Sequence, residues 1–358
     1  MKKKVVVGMS GGVDSSVAAL LLKEQGYEVI GVTMEIWRPE DREQTEEQGG
    51  CCGLSAVEDA RRVAQVLDIP HYVMNFREEF QRSVVDYFTA EYLHGRTPNP
   101  CIACNRHIKW EALLKRSLDI GADYIATGHY ARVARLPNGR WAVRNSATAA
   151  KDQTYVLYPL TQEQLSRTLM PVGEYTKEEI RALAQRAGLS VAGKPDSQDL
   201  CFVPDGDYGA FLEREAPGRV PGPGNFVSAA GEILGRHKGL THYTVGQGKG
   251  LGIALGRHVY VTELRPDTNE VVLGEDADVF ASALDCSDLN FMGMEGLPEP
   301  RRLLAKVRYA HQGEWCTAVQ TGPDTVHVEF EAPVRAIAPG QAVVFYEDGY
   351  VMGGGTIL

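Results

Sequence analysis

Lys4-Val5-Val6-Val7-Gly8-Met9-Ser10-Gly11-Gly12-Val13-Asp14-Ser15-Ser16 is the stretch that decides the fold. It runs from a β-branched strand through a glycine pair into helical apolar spacing at Val17, Ala18, Leu20, Leu21 and Leu22. Glycines let the backbone turn its N–H groups toward an anion, and the start of the helix adds a favourable dipole. A Walker loop carries Lys before its final Ser or Thr. Here Val13-Asp14 stands in that place, so the lysine that grips outer phosphates is missing and kinase or motor chemistry is disfavoured. A carboxylate beside bound phosphates makes sense as a ligand for Mg²⁺, which makes Asp14 the expected metal residue of a nucleotide-binding loop. A lone glycine loop would read only as a tight turn; the full string between strand and helix is more specific.

Outward from the loop, strand and helix alternate. Residues 28–34, 71–76 and 123–127 read as strands. Residues 55–67 read as a helix capped by Ser55 with Glu58 three positions on, and 78–93 and 105–118 as further helices. This pattern predicts an α/β fold with a parallel, doubly wound sheet, whose ligands sit at the carboxyl ends of the strands. Gly8 to Ser16, Met34 and Gly128-His129 all fall at such ends. Residues 132–145 alternate around Pro137-Asn138-Gly139, a hairpin, and helices resume at 161–169 and 176–187. From Pro217 a Pro/Gly-punctuated linker leads into short strands. The expected domains are a nucleotide-binding domain over 1–203, a small mixed domain over 204–276 and a C-terminal β-barrel over 277–358. Acidic residues 39–48 read as a loop.

The 358 residues are 44% hydrophobic and 23% charged, ordinary for a soluble protein of two or three domains. No apolar run approaches the roughly eighteen residues of a membrane span. Met1-Lys2-Lys3-Lys4 precedes only a short apolar strand and does not read as a targeting segment, so the cytoplasm is the expected compartment. A net charge of −10, from 37 basic and 47 acidic residues, argues against a protein that coats nucleic acid. Local basic clusters remain at Arg301, Arg302, Lys306 and Arg308, and at Arg236, His237, Lys238, His242 and Lys249. The seven cysteines are odd in number and do not suggest a disulfide scaffold. Cys286 and Cys316 read as small buried residues. Cys51-Cys52 read as loop residues with thiol reactivity.

The second signal is Thr97-Pro98-Asn99-Pro100-Cys101-Ile102-Ala103-Cys104-Asn105. Prolines fix an extended approach and Asn105 is expected to begin a helix, placing Cys104 near an N-terminus that favours thiolate. A third cysteine stands far along, in Asp196-Ser197-Gln198-Asp199-Leu200-Cys201-Phe202, and no spacing ties it to Cys104. The Ser-Gly-Gly-Val-Asp-Ser string resembles the PP-loop of the ATP pyrophosphatases. With the cysteine strings, Ala122 to Tyr130, Lys151-Asp152-Gln153, Gly246 to Gly252 and Pro339-Gly340-Gln341, the chain resembles the tRNA-specific 2-thiouridylases over nearly its whole length.

That resemblance implies an ATP-dependent sulfurtransferase acting on the wobble uridine of tRNA. Gly8, Met9, Ser10, Gly11, Gly12, Val13, Asp14 and Ser15 would bind the phosphates of ATP, with Met34 and Gly128 near the adenosine. Cys201 would receive sulfur as a persulfide from a donor protein. Cys104 would complete transfer and be left disulfide-bonded to Cys201. Asn99 and Pro100 would approach the base, while His129, Lys151, Asp152, Gln153, Arg308, Tyr309 and Gln341 would contact tRNA. Some family members carry Asp where this chain has Cys101. Cys101, Cys104 and Cys201 give three soft ligands, a set that suits an iron–sulfur cluster holding hydrosulfide, and the motif inclines toward that route. A nitrogen-installing PP-loop ligase, or a non-enzymatic RNA-binding or cluster-carrying protein, is the competing reading.

Overall fold

The computed structural model describes residues 2–37, 54–195, 200–203 and 205–358. Cys51, Cys52, the acidic segment 39–48 and residues 196–199 of the Cys201 string lie outside the described residues. The chain divides into two compact units. One comprises 1–84, 101–206 and 348–351, the other 85–100, 207–347 and 352–358.

The first unit is built on parallel strands β1 (Lys4–Gly8), β2 (Glu28–Glu35), β3 (His71–Asn75) and β4 (Tyr124–Ala126). After a hairpin of β5 (Ala131–Arg135) and β6 (Trp141–Asn145) comes a fifth, β7 (Thr168–Leu169), giving the order β3-β2-β1-β4-β7. Val5 and Val7 of β1 pack into one cluster with α1 (Val13–Glu24), α2 (Leu54–Val66) and α3 (Lys177–Arg186). Val6 is buried but absent from that cluster, as expected where successive side chains point to opposite faces. Each such fully buried apolar side chain is worth about 1.5–3 kcal/mol. α3 opens on a capping box. Thr176 Oγ1 accepts from the Glu179 amide at 3.2 Å and the Glu179 carboxylate from the Thr176 amide at 2.7 Å, which fixes where Lys177 begins the helix.

Three local expectations change. One helix over 161–169 is predicted, but the helix is Gln162–Ser166 and Thr168–Leu169 pairs with Ile125 and Ala126 instead. Buried Thr168 accepts the Trp110 indole N–H at 2.7 Å, a tertiary bond that no local propensity encodes. α2 begins at Leu54, so Ser55 lies inside its first turn rather than capping it. The helix expected to start at Asn105 is already helical at Pro100–Ala103, winds as π-helix over Cys104–Leu113 and returns to α over Leu114–Asp119. Cys104 therefore sits at a change of winding, one turn inside the helix.

The second unit carries two β modules. β8 (Gly224–Val227), β9 (Ile233–His237), β10 (Tyr260–Arg265) and β11 (Glu270–Gly274) form a sheet in the order β10-β11-β8-β9 around Phe226, Val261 and Val271. The remaining strands are β12 (Phe280–Phe291), β13 (Arg301–Lys306), β14 (Glu314–Gly322), β15 (Thr325–Arg335), β16 (Ala342–Glu347) and β17 (Tyr350–Ile357). They run in the order β12-β15-β14-β13-β16-β17, and pairing of Cys286 with Ile357 closes them into a barrel without open edges. The α/β sheet, mixed central module and closed barrel are the architecture the sequence predicts. No helix among the described residues is long and apolar enough to cross a membrane.

Cys286 and Cys316 are barrel-core residues at 0% exposure, their thiols donating to the carbonyls of Val326 and Leu303 at 3.6 and 3.4 Å. Burial pushes both thiols up to about 12. They should therefore stay unreactive toward a disulfide reagent at mildly alkaline pH and titrate only in strong denaturant. Labelling of either in the native protein, read by peptide mass mapping, would contradict the barrel register.

Candidate functional site

The chain fills the sheet from β1 outward through β2 to β3, then crosses to the other side of β1 for β4. The carboxyl ends of β1 and β4 therefore flank a switch point, where open α/β sheets bind ligands. A cleft lies there, lined by Gly8, Ser10, Asp14 and Ser15 after β1, Met34 on β2, and Thr127, Gly128 and His129 after β4. Lys109, Leu113 and Gln153 complete its walls. Of the predicted nucleotide residues, Gly8, Ser10, Asp14, Ser15, Met34 and Gly128 come together here, joined by His129 and Gln153. Met9 and Val13 are buried behind the loop, with Val13 in the sheet core.

The loop is shaped by its own backbone. Gly11 adopts φ +70° and packs where a Cβ would strike Ala56 of α2. Ser15 Oγ donates to the Gly12 carbonyl at 3.3 Å and accepts from the Ser10 amide at 3.2 Å. Gly12 at the N-cap of α1 has no side chain to satisfy the amides of the first turn. Those amides are the ready anion donors of a helix start. Thr33 Oγ1 donates to the Met9 carbonyl at 2.9 Å and so must accept from His71 Nε2, also at 2.9 Å, which fixes the loop entry and the His71 tautomer.

Asp14 is the cleft's carboxylate, and its surroundings could not be read locally. Oδ1 accepts the Tyr130 hydroxyl at 2.7 Å, and Lys177 Nζ lies 2.8 Å from both oxygens. Lys177 is 7% exposed, a buried cation neutralised by its partner. A carboxylate offers about four lone-pair sites. These bonds leave one direction on Oδ2, enough for a single metal bond. On the other flank, Lys194 Nζ donates to the Gly11 carbonyl at 3.2 Å and to Asp59 at 2.8 Å. Sequence reasoning assigned no role to Lys109, Tyr130, Lys177 or Lys194. Three of them stand at least a hundred positions from the loop; Tyr130 closes the Ala122 to Tyr130 string, and nothing in the local strings marks the three lysines.

His129 is 8% exposed, its Nδ1 lies 2.7 Å from Thr127 Oγ1 and its ring packs on Trp110. Burial, aided by the charge of Lys109, holds its pKa well below the usual histidine value. The ring is therefore neutral at physiological pH. Gln153 is fixed by a reciprocal pair with Tyr130: its side-chain oxygen accepts the Tyr130 amide at 2.8 Å and its amide donates to the Tyr130 carbonyl at 3.0 Å. Asp152 accepts the amides of Ser146 at 2.8 Å and Thr154 at 3.1 Å, stapling the loop that carries Lys151.

The second unit holds the other predicted contacts. The Gln341 side chain donates to the Thr97 carbonyl at 2.9 Å, and the Thr97 amide donates to the Pro339 carbonyl at 2.8 Å. Arg96 bonds Glu91 at 2.8 Å and the Ile357 carbonyl at 3.3 Å. Asn99 and Pro100 thus follow a segment clamped to the barrel. Tyr309 is 48% exposed, and Arg308 donates to the Arg335 carbonyl at 2.7 Å. The basic clusters are compensated in part. Arg301 pairs with Glu347 and Arg302 with Glu331, while burial lowers the pKa of His237 and His242.

Cys101 is exposed, and Cys104 and Cys201 are half-buried. Among the described residues no three His, Cys, Asp or Glu side chains are placed to hold a metal ion. The three cysteines therefore do not form the three-thiolate set that the Cys-x-x-Cys spacing suggests. Spacing along a helix does not fix where a distant third ligand points.

At Gly128 a Cβ would lie 2.6 Å from the Ser15 amide and 2.7 Å from the Asp14 carbonyl carbon, both backbone atoms that cannot yield cheaply. Gly128→Ala should leave the protein folded but weaken nucleotide binding at least tenfold, by a misplacement of the loop of the kind that costs far more than one contact. Equilibrium binding of ATP to the variant checks this, with a near-normal affinity counting against the cleft.

The family tRNA methyl transferase HUP domain matches residues 3–205, tRNA methyl transferase PRC-barrel domain matches 209–275 and aminomethyltransferase beta-barrel domain matches 281–357. The chain is 64% identical over 356 residues to the tRNA-specific 2-thiouridylase MnmA of Lachnoclostridium phytofermentans, covering 99% of each. It is 56% identical over 356 residues to that of Clostridium perfringens, covering 99% of this chain and 98% of the relative. With the protein of the same name from Carboxydothermus hydrogenoformans it shares 56% over 357 residues, at 99% and 98% coverage. Matched from end to end at such identity, and carrying the loop and cleft described above, this chain belongs to the tRNA-specific 2-thiouridylase family.

Proposed function

We propose that this chain is an ATP-dependent tRNA-uridine 2-sulfurtransferase that replaces O2 of the wobble uridine with sulfur. The observation that carries the reading is the cleft at the β1–β4 switch point. One wall is the uncapped start of α1, and another comes from the helix that carries Cys104.

In the first step uracil O2 attacks the α-phosphorus of ATP. A phosphorus–oxygen bond forms, pyrophosphate leaves with the electron pair of the broken one, and O2 becomes the ester oxygen of AMP. The α1 amides receive the outer phosphates, and Met34 and Gly128 flank the adenosine. Magnesium would neutralise charge on the departing pyrophosphate, and the remaining Asp14 oxygen site is where this chain would hold it. Tyr130 and Lys177 keep that carboxylate oriented.

In the second step the terminal sulfur of a Cys201 persulfide attacks C2, and AMP departs with the C–O electron pair. The Cys104 thiolate then attacks Cys201 Sγ. The S–S bond breaks toward the base-bound sulfur, giving 2-thiouridine and a Cys104–Cys201 disulfide. An external dithiol must reduce that disulfide before the next turnover, and a persulfide-carrying protein must reload Cys201.

Asn99 and Pro100 present to the base, and Lys151, Arg308 and Tyr309 contact tRNA. Asp152 and the side-chain nitrogen of Gln341 also hold loops through backbone bonds. We assign the work to the cytoplasm, with a catalytic domain over 1–203, a central domain over 204–276 and a barrel over 277–358. An amidating ligase would have no use for the cysteine pair.

Cys104→Ser should abolish thiolation while sparing tRNA-dependent pyrophosphate release, since activation precedes sulfur transfer. Cys101→Ala and Cys101→Asp should both keep thiolation within a few-fold of the parent when supplied with a persulfide donor. If Cys101→Ala is as inactive as Cys104→Ser, the persulfide route is wrong. tRNA affinity should also fall steeply between low and physiological salt, because phosphate contacts release counterions. A flat salt profile in filter binding would remove the phosphate-contact assignments.

A further inference from the structure

The cleft has a charge imbalance that its loop does not resolve. A nucleotide triphosphate brings several negative charges, yet the loop carries Val13-Asp14 where a Walker lysine would stand. Lys177, the nearest buried cation, is spent on both oxygens of Asp14, and Lys194 is spent on Asp59 and the Gly11 carbonyl. Among the described residues lining the cleft, Lys109 is the one lysine or arginine.

Lys109 is held without being neutralised. Its Nζ donates to Asn105 Oδ1 at 2.9 Å, and no carboxylate among the described residues pairs with it. Asn105 is 1% exposed and its amide is anchored on the Val156 carbonyl at 2.9 Å. A buried neutral amide therefore aims an ammonium into the cleft and leaves its charge available. The winding matters as well. Cys104 and Lys109 stand five residues apart in a segment of π-helix, where i→i+5 bonding brings such residues toward one face. In α winding, at 3.6 residues per turn, they would diverge. The π winding thus brings Cys104 and Lys109 toward one side of the helix.

We propose that Lys109 binds the α-phosphate of the nucleotide and of the adenylated base, supplying from the cysteine helix the cation that the loop lacks. This rests on the reading of the cleft as the ATP site. The α1 amides take the outer phosphates, which leave as pyrophosphate. The α-phosphate stays, joined to O2 of the base that Cys104 serves, and charge builds on its oxygens in both the adenylation and the departure of AMP. A fixed ammonium there stabilises both transition states, and the neutral His129 beside it does not compete for the anion.

The test compares adenosine, AMP, ATP and pyrophosphate as ligands of the full-length wild type, Lys109→Met and Lys109→Arg. Lys109→Met should weaken AMP and ATP by about tenfold or more, the size expected for one charge-assisted bond, and leave adenosine and pyrophosphate unchanged. It should raise KM for ATP and lower kcat for pyrophosphate release, and Lys109→Arg should restore part of each. Equal loss for adenosine would mean a structural role, and unchanged AMP affinity would mean no phosphate contact; either result overturns the proposal. A wild type that binds none of the four ligands would instead overturn the cleft assignment on which it rests.

Discussion

The backbone of Gly128 lies against the amide of Ser15 and the carbonyl carbon of Asp14, and the site depends on that approach. It exists because β1 and β4 pair in parallel, Val7 opposite Ala126, which delivers the ends of both strands to the same level. Gly128 has no room for a side chain at that contact, and Gly11 has none where it packs on Ala56. The backbone is thus bare on both strands' exits at the switch point of the sheet.

Charge is then distributed around this cradle with little waste. Among the described residues lining the cleft, Asp14 is the one carboxylate, and Lys177 and Tyr130 hold its orientation. His129 is kept neutral by burial and by Lys109. Of the basic runs that look most conspicuous in the sequence, Arg301 is compensated by Glu347 and Arg302 by Glu331.

The helix over 100–119 lends Lys109 and Leu113 to the cleft and also carries Cys104. Its π-wound middle carries Cys104, Asn105, Lys109 and Leu113. A long π segment forgoes the better geometry of α winding and persists where tertiary contacts fix it, commonly at functional positions. Here Asn105 is tied to Val156 and Trp110 to Thr168, so both ends of the segment are held by distant backbone and side chain.

Much was legible from residues alone because it is written locally. The β-branched run, the glycine pair and the apolar helix after them define a strand–loop–helix unit whose geometry needs no partner. The alternation that follows sets a parallel sheet, and the placing of strand ends gathers Gly8, Met34 and Gly128. The barrel follows from short strands with regular turns. What the tertiary structure alone decided is everything that depends on which residue meets which across the chain: Lys177 on Asp14, Lys109 in the cleft, Gln341 spent on Thr97, Thr168 as a strand residue, and three cysteines that do not gather as metal ligands. Propensity and periodicity act over a turn of helix or a pair of strands. Contacts between residues a hundred positions apart are set by packing, which no short string encodes.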